Sequence, residues 1–143
     1  MRTLWLAIAL TSPVALVSCG NPATVTTPAP PNSAQTQTLN ATKALADAIN
    51  GAVKAAVNLN AQGIVSEGDT RTVVNWGKSA TVLDDQIATE LGSADTWTVQ
   101  KQKIVASLSG FKLPVVTSNT ALQAALQQAL TLVQQIQSQV TQP

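Results

Sequence analysis

The residues of this chain that could do chemistry are few in kind: a single cysteine, Cys19, seven carboxylates, and no histidine or tyrosine. Serine-histidine-aspartate and cysteine-histidine catalysis both need an imidazole, and thiolate zinc sites need several cysteines. An enzyme built from this sequence would have to work with carboxylates, lysines and hydroxyl groups. We therefore predict that the protein is not an enzyme and that it holds no metal or other cofactor.

One segment is similar to a phosphate-binding loop but lacks its context. Gly77-Lys78-Ser79 matches the end of that loop, yet Thr72 stands where the pattern requires a glycine. The motif also needs a strand-to-helix loop whose backbone amides face the phosphate, whereas these residues fall inside a predicted helix. Packing explains the glycine better, and we expect Gly77 to let a neighbouring helix approach closely.

Two other groups of polar residues have a catalytic or ligand-like spacing. Ser109 and Lys112 match Ser-x-x-Lys, but the companion Ser-Asp-Asn and Lys-Thr-Gly elements of serine penicillin-recognising enzymes are missing from the chain. Asp84 and Asp85 stand near Glu90, but adjacent helical residues point about 100° apart, so the two aspartates do not converge on a cation. We interpret the first group as a chance match and the second as a solvated helix face.

The first eighteen residues have the order of a secretory signal. Arg2 precedes an apolar stretch from Leu4 to Val17, and the small residue Ser18 comes directly before Cys19. A transmembrane helix needs about 20 apolar residues, so this stretch is too short to span a bilayer. Pro13 interrupts it as well.

The four residues Leu16-Val17-Ser18-Cys19 resemble the lipobox of bacterial lipoproteins. The resemblance implies that residues 1–18 are removed and that acyl chains such as palmitate on Cys19 anchor the mature protein to a membrane. It also explains why an exported protein would have a single cysteine, because an acylated thiol needs no disulfide partner. Gly20 follows in place of an aspartate, which by resemblance to enterobacterial sorting implies the outer membrane of the cell envelope, with the domain in the periplasm or at the surface. A plain secreted protein is the alternative.

The mature chain, residues 19–143, carries no net charge, because the eight basic residues less Arg2 equal the seven acidic ones. Nucleic-acid binding draws its affinity from a concentrated basic face that displaces counterions from phosphates. We therefore predict that nucleic acid is not a partner.

Composition divides the mature chain into a tether and a domain. Residues 20–38 are rich in Pro, Thr, Ala and Gln and carry no charge, so they cannot bury enough apolar surface to offset the cost of ordering. We predict that residues 19–38 form a disordered tether behind the acylated cysteine. Residues 39–143, in which apolar residues recur at intervals of three and four, form the domain.

Four helical segments with short connections predict an all-α fold, a small antiparallel helical bundle. The first helix runs from Leu39 to near Asn60, and Gly63 suits the left-handed position after it. Ser66 caps the second, which Gly92 ends, and the third starts from Ser93 or Asp95 and runs to 109–110. Residues 111–116 form an extended connection, and Ser118 caps the last helix. The predicted buried faces are Leu39, Thr42, Ala46, Ile49, Val53 and Ala56; Val73, Trp76, Ala80, Leu83, Ile87 and Leu91; and Leu122, Leu126, Ala129, Val133, Ile136 and Val140.

The two tryptophans of the domain, Trp76 and Trp97, have two interpretations. Both lie on predicted apolar faces of a domain that has few other large side chains, which favours core anchors. The alternative is a ligand pocket or a partner-binding surface. The outer face of the last helix is rich in glutamine, which fits either a plain solvated face or a surface that meets a partner helix.

Together these features predict a lipid-anchored envelope protein whose helical domain is non-catalytic and interacts with another envelope protein. Two alternatives remain open. One is a phage-encoded lipoprotein that resembles the outer-membrane partner of a two-component spanin, with which it shares a lipobox and a proline-bearing tether. The other is a carrier of a small apolar ligand between the helices.

Overall fold

The computed structural model describes residues 33–116 and 119–142, which form four α-helices with short connections. The helices are α1 (Ser33–Ala61), α2 (Glu67–Leu91), α3 (Trp97–Leu108) and α4 (Thr120–Thr141). The predicted all-α helical bundle is confirmed. None of the helices in these ranges is long and apolar enough to cross a membrane. The signal segment, Cys19 and residues 20–32 of the predicted tether lie outside the described residues.

Helix α1 begins at Ser33, six residues before the predicted start of the domain, so the prediction that the tether extends to residue 38 was wrong for its last part. Polar side chains hold these first turns in the fold. Thr38 is fully buried, and Gln35 Nε2 donates a 2.8 Å hydrogen bond to Gln100 Oε1 on α3. A polar sequence therefore packs here because its side chains find partners inside the bundle.

The buried face of α1 also differs from the predicted one. Leu39 is 38% exposed, whereas Leu45 is fully buried. Because α1 is rich in small residues, several apolar stripes are nearly equivalent in the sequence, and the contacts with α2 and α4 decide which one is buried. The buried residues of α1 are Thr38, Ala41, Thr42, Leu45, Ala48, Ile49, Ala52 and Ala56.

The turn between α1 and α2 follows its local sequence closely. Gly63 has a φ of 70°, and its amide donates to Asn60 O while the Ile64 amide donates to Leu59 O. This pair of bonds is the Schellman motif that a left-handed glycine allows. The Ser66 hydroxyl then accepts a 3.0 Å hydrogen bond from the Asp69 amide, so the predicted cap of α2 is confirmed.

The later helix starts are displaced from their predicted positions. Helix α3 begins at Trp97, after Thr96, and not at Ser93 or Asp95. The cap of α4 is Asn119, whose Oδ1 accepts a 3.0 Å hydrogen bond from the Leu122 amide, and not Ser118. Serine and asparagine are both strong N-caps, so the sequence alone did not distinguish Ser118 from Asn119.

The four helices form a ring in which α1 packs against α2 and α4, and α3 packs against α2 and α4 opposite α1. We call the end where α1 begins the start end, and the end with the α1–α2 turn the far end. The first core cluster, toward the start end, consists of Ala41, Leu45, Ala48, Ile49, Ala80, Ile87, Ile104, Leu108, Ala129, Val133, Ile136 and Val140. The second core cluster, toward the far end, consists of Ala52, Ala56, Val65, Val73, Val116, Leu122 and Leu126.

The short length of α3 explains why the core has two parts. At 1.5 Å per residue its 12 residues span about 18 Å, against about 44 Å for the 29 residues of α1. Helix α3 therefore lines only the first core cluster. In the second cluster its place is taken by Leu113 and Val116 from the segment of residues 111–116, which is extended as predicted and forms no strand.

Candidate functional site

Trp76 lies in the middle of α2, where the two core clusters meet. Its side chain is half-buried and packs against both clusters. Its ring stands edge-to-face to that of Phe111, with centroids 6.1 Å apart and an interplanar angle of 76°. Such pairs are worth about 0.5–1.5 kcal/mol beyond the area they bury. The structure therefore places Trp76 against the core and also leaves part of it at the surface.

Trp97 is the first residue of α3 and is also half-buried. It packs against the first core cluster alone. The structure does not bring the two tryptophans into one site, since Phe111 is the aromatic partner of Trp76. Trp97 is thus a candidate for anchoring the start of α3 onto the bundle.

A cleft of about 340 Å³ opens beside Trp76, between α2 and the chain that leaves α3. Trp76, Ala80, Leu83 and Phe111 supply its apolar walls, while Lys112 is the only charged residue that lines it. The remaining lining residues are Asn75, Ser79 and Gly110. The sequence had singled out Trp76, but nothing in the pattern of residues 109–113 showed that this segment would pass over α2.

Gly77 and Ser79, which stood out as a partial phosphate-loop motif, lie in the middle of α2. A β-carbon built at Gly77 would overlap Val53 Cγ2 of α1, so the predicted close approach of a neighbouring helix is confirmed. Lys78 and Ser79 are exposed. Ser109 directly follows α3 and bonds through its hydroxyl to Ala106 O, as a helix-end serine commonly does.

The prediction that Asp84 lies on a solvated helix face was wrong. Asp84 is only 7% exposed, and its Oδ1 has no hydrogen-bond partner among the described residues. Burial, with a smaller contribution from the charge of Asp85, raises the pKa of Asp84 to about 6. Asp85 itself is exposed, so the two carboxylates do diverge as helix geometry requires.

Two further acidic residues, Glu90 and Asp95, form ion pairs with a lysine of α3. Lys103 Nζ donates a 2.7 Å hydrogen bond to Asp95 Oδ2 and lies 3.1 Å from Glu90 Oε2, and the two carboxylates raise the pKa of Lys103. Within residues 33–116 and 119–142, no three His, Cys, Asp or Glu side chains are grouped as metal ligands. The pair with Glu90 instead connects α2 with α3, and the pair with Asp95 connects the turn at residues 92–96 with α3.

A buried amide network lies at the start end. Gln100 is 2% exposed, and its Nε2 donates to Ser93 O at 3.1 Å while its Oε1 accepts from Gln35. The Ser93 hydroxyl in turn donates to Glu90 O at 2.8 Å. Every polar atom of the Gln100 side chain therefore has a partner, and the network links α1, α3 and the turn before α3.

Comparison of the chain with protein-family models, curated proteins and solved structures gave no match. The function of the chain must therefore be inferred from its own residues and their placement. Three features bear on it: Cys19 in the sequence, the two ends of the bundle, and the cleft beside Trp76.

Proposed function

We propose that this chain is a membrane-anchored lipoprotein of the bacterial envelope, whose helical bundle is a non-catalytic interaction or structural domain. The order of Arg2, an apolar stretch and Leu16-Val17-Ser18-Cys19 supports the anchor. A single acyl chain binds a bilayer only marginally, whereas two or more hold firmly. Gly20 after the cysteine supports the outer membrane as the location.

The observation that carries this proposal is the lipobox-like order that ends at Cys19, and the distance from Cys19 to Ser33, the first residue of α1, limits where the bundle can lie. Only thirteen residues, 20–32, separate the two. Fourteen steps along the chain reach at most about 50 Å, at about 3.5 Å per residue. An anchor on Cys19 would therefore keep the start end of the bundle within about 50 Å of the bilayer.

The far end carries exposed apolar residues that support a contact there. Ile64 is 49% exposed and Val115 is 83% exposed, and their neighbours Val65 and Val116 are buried together in the second core cluster. The two exposed side chains thus belong to the same end of the bundle. Val57, in the second half of α1, is 48% exposed as well. We assign the contact with another envelope protein to this end.

Replacement of Cys19 tests the anchor. Cys19→Ser should abolish labelling by a palmitate analogue and leave the protein either uncleaved or released from the membrane fraction. Ser18→Ala, which keeps a small residue at the cleavage position, should remain labelled and membrane-bound. Normal membrane retention of Cys19→Ser, together with an unlabelled wild-type protein, would refute the lipoprotein assignment.

A photo-crosslinking amino acid at position 115 tests the interaction role. In intact envelopes, with Cys19 retained, it should give a discrete adduct with one envelope protein. The same residue at position 43, which is exposed on α1 toward the start end, serves as the matched control and should not give that adduct. Equal adducts from both positions, or none from position 115, would overturn a specific contact at the far end.

A further inference from the structure

The cleft beside Trp76 has the dimensions and the walls of a small-molecule site. Its volume of about 340 Å³ lies at the lower end of the roughly 300–1,000 Å³ that is usual for ligand pockets. One wall is the middle of α2, and the other is the segment after α3, with Phe111 at its centre. Both walls are fixed, because Trp76 packs on the two core clusters and Phe111 packs on the first.

The surface that Trp76 offers to this cleft is carbon. The side chain is half-buried, but its Nε1 is fully enclosed and has no hydrogen-bond partner among the described residues. The exposed part of the indole is therefore its carbon framework. Leu83 and the ring of Phe111 continue this apolar surface. A flat apolar group that lies against it would remove carbon surface from water on both sides.

The rim of the cleft determines the charge of its ligand. Lys112 is exposed and makes no ion pair within the part of the chain that the structure describes, and no acidic residue lines the cleft. The side-chain amide of Asn75 lies at the same opening and can donate hydrogen bonds, whereas the Ser79 hydroxyl donates to Asn75 O at 3.4 Å. A cation with a neutral amide donor beside it is complementary to an anionic group such as a carboxylate or a sulfonate.

We propose that this cleft binds a small organic anion that has a flat apolar body, with the body against Trp76 and Phe111 and the anionic group on Lys112. The site would be a surface cleft between α2 and residues 110–112 and not a cavity at the centre of the bundle. It is independent of the proposed contact at the far end and of the anchor on Cys19.

A pair of matched probes tests this site in the purified full chain. We would titrate 1-naphthoate, which is anionic, and 1-naphthamide, its neutral analogue, while recording ¹H–¹⁵N spectra of the tryptophan indole groups. The Trp76 signal should move saturably with 1-naphthoate, and 1-naphthamide should bind at least twofold more weakly. The Trp97 signal is an internal reference and should stay in place.

Three variants locate the site. Lys112→Gln should weaken 1-naphthoate about fivefold and leave 1-naphthamide unchanged, the size of effect that one exposed charge pair gives. Lys78→Gln makes the same charge change on an exposed residue that does not line the cleft, and it should leave both affinities unchanged. Ser79→Trp should fill the opening and abolish both titrations, while the fold is checked by its circular-dichroism melting curve.

A Trp76 signal that does not move, or that moves without saturating, would overturn the proposal. So would equal losses of 1-naphthoate affinity in Lys112→Gln and Lys78→Gln, because the attraction would then come from the general charge of the surface. These outcomes do not depend on acylation of Cys19, so they are distinct from a failure of the lipoprotein proposal.

Discussion

Gly77 of α2 lies directly against Val53 of α1, and the space between the two helices does not admit a β-carbon at Gly77. Gly77→Ala would add about 1 kcal/mol of helix propensity, but overpacking a fixed contact costs about 1–3 kcal/mol. Because valine is stiff at χ1, we expect the clash to win and the variant to lose about 1 kcal/mol of stability in urea unfolding.

The matched control for this prediction is Gly51, also inside a helix but with nothing within 4 Å of an added β-carbon. Gly51→Ala should raise the free energy of unfolding by about 0.5–1 kcal/mol. Combining Gly77→Ala with Val53→Ala should recover part of the loss of the single glycine variant, which a double-mutant cycle would measure. If both glycine variants gained stability equally, the close contact between α1 and α2 would be wrong.

Trp76 should contribute more to stability than Trp97, because it packs against both core clusters. Replacing a large core side chain by alanine costs about 3–5 kcal/mol. Since Trp76 is half-buried, we expect Trp76→Ala to lower the free energy of unfolding by about 3 kcal/mol and Trp97→Ala to lower it by less. Thermal and urea unfolding of the two variants would measure this. An unchanged melting temperature in Trp76→Ala would contradict its assignment to the core.

Because the pKa of Asp84 is raised by burial, we expect the domain to become less stable as the pH rises. Its pKa in the folded protein is about 6, above the value of 3.8 for a free aspartate, so the folded state holds its proton longer than the unfolded state does. The contribution of Asp84 to the free energy of unfolding should therefore be most favourable below pH 4. It should fall by about 2 kcal/mol between pH 4 and pH 6 and stay at that lower level above it.

The isosteric variant Asp84→Asn removes this dependence, and it should be more stable than the wild type at pH 7. Asp85→Asn, at the exposed neighbouring position, should change the stability at pH 7 by less than about 0.5 kcal/mol. Urea unfolding of the three proteins at pH 4, 5, 6 and 7 would give the comparison. A wild-type protein whose contribution from residue 84 does not change with pH would contradict the burial of Asp84.

The buried amide of Gln100 should control the first turns of α1. Gln100→Leu would fill most of the same volume but remove the hydrogen bonds that the Ser93 carbonyl and the Gln35 amide make to the Gln100 side chain. A buried polar group that loses its partner costs about 1–3 kcal/mol. We expect amide hydrogen exchange in residues 35–40 to speed up. Gln102→Leu, at an exposed position of α3, should leave this exchange unchanged.

The parts of the fold that depend on local chemistry were predictable from the sequence. Gly63 and Ser66 were identified correctly as the end of one helix and the cap of the next, because a turn of this kind is determined by its own few residues. The apolar face of α4 was also predicted correctly, since its buried residues alternate with a uniform series of glutamines.

Features that depend on distant contacts were not predictable in the same way. Thr38 and Gln100 are polar, so the sequence suggests that they face solvent, but both are buried. The Thr38 hydroxyl donates to a carbonyl of its own helix, and the Gln100 side chain bonds to Gln35 of α1 and to the Ser93 carbonyl. Asp84 lies on the face of α2 that also carries Gly77 and Ala80, which a pattern of apolar residues cannot show. The cleft beside Trp76 exists only because α3 stops early and Phe111 returns over α2.

The early end of α3 also bears on how the molecule opens. Around the first core cluster four helices enclose the apolar residues, whereas the second is closed on one side by residues 111–116, whose own backbone is not helical. Elements with few backbone bonds of their own open first, so we expect two cooperative units of unequal stability, the weaker one at the far end. Trp76 belongs to both units, and its fluorescence would report the opening of either one.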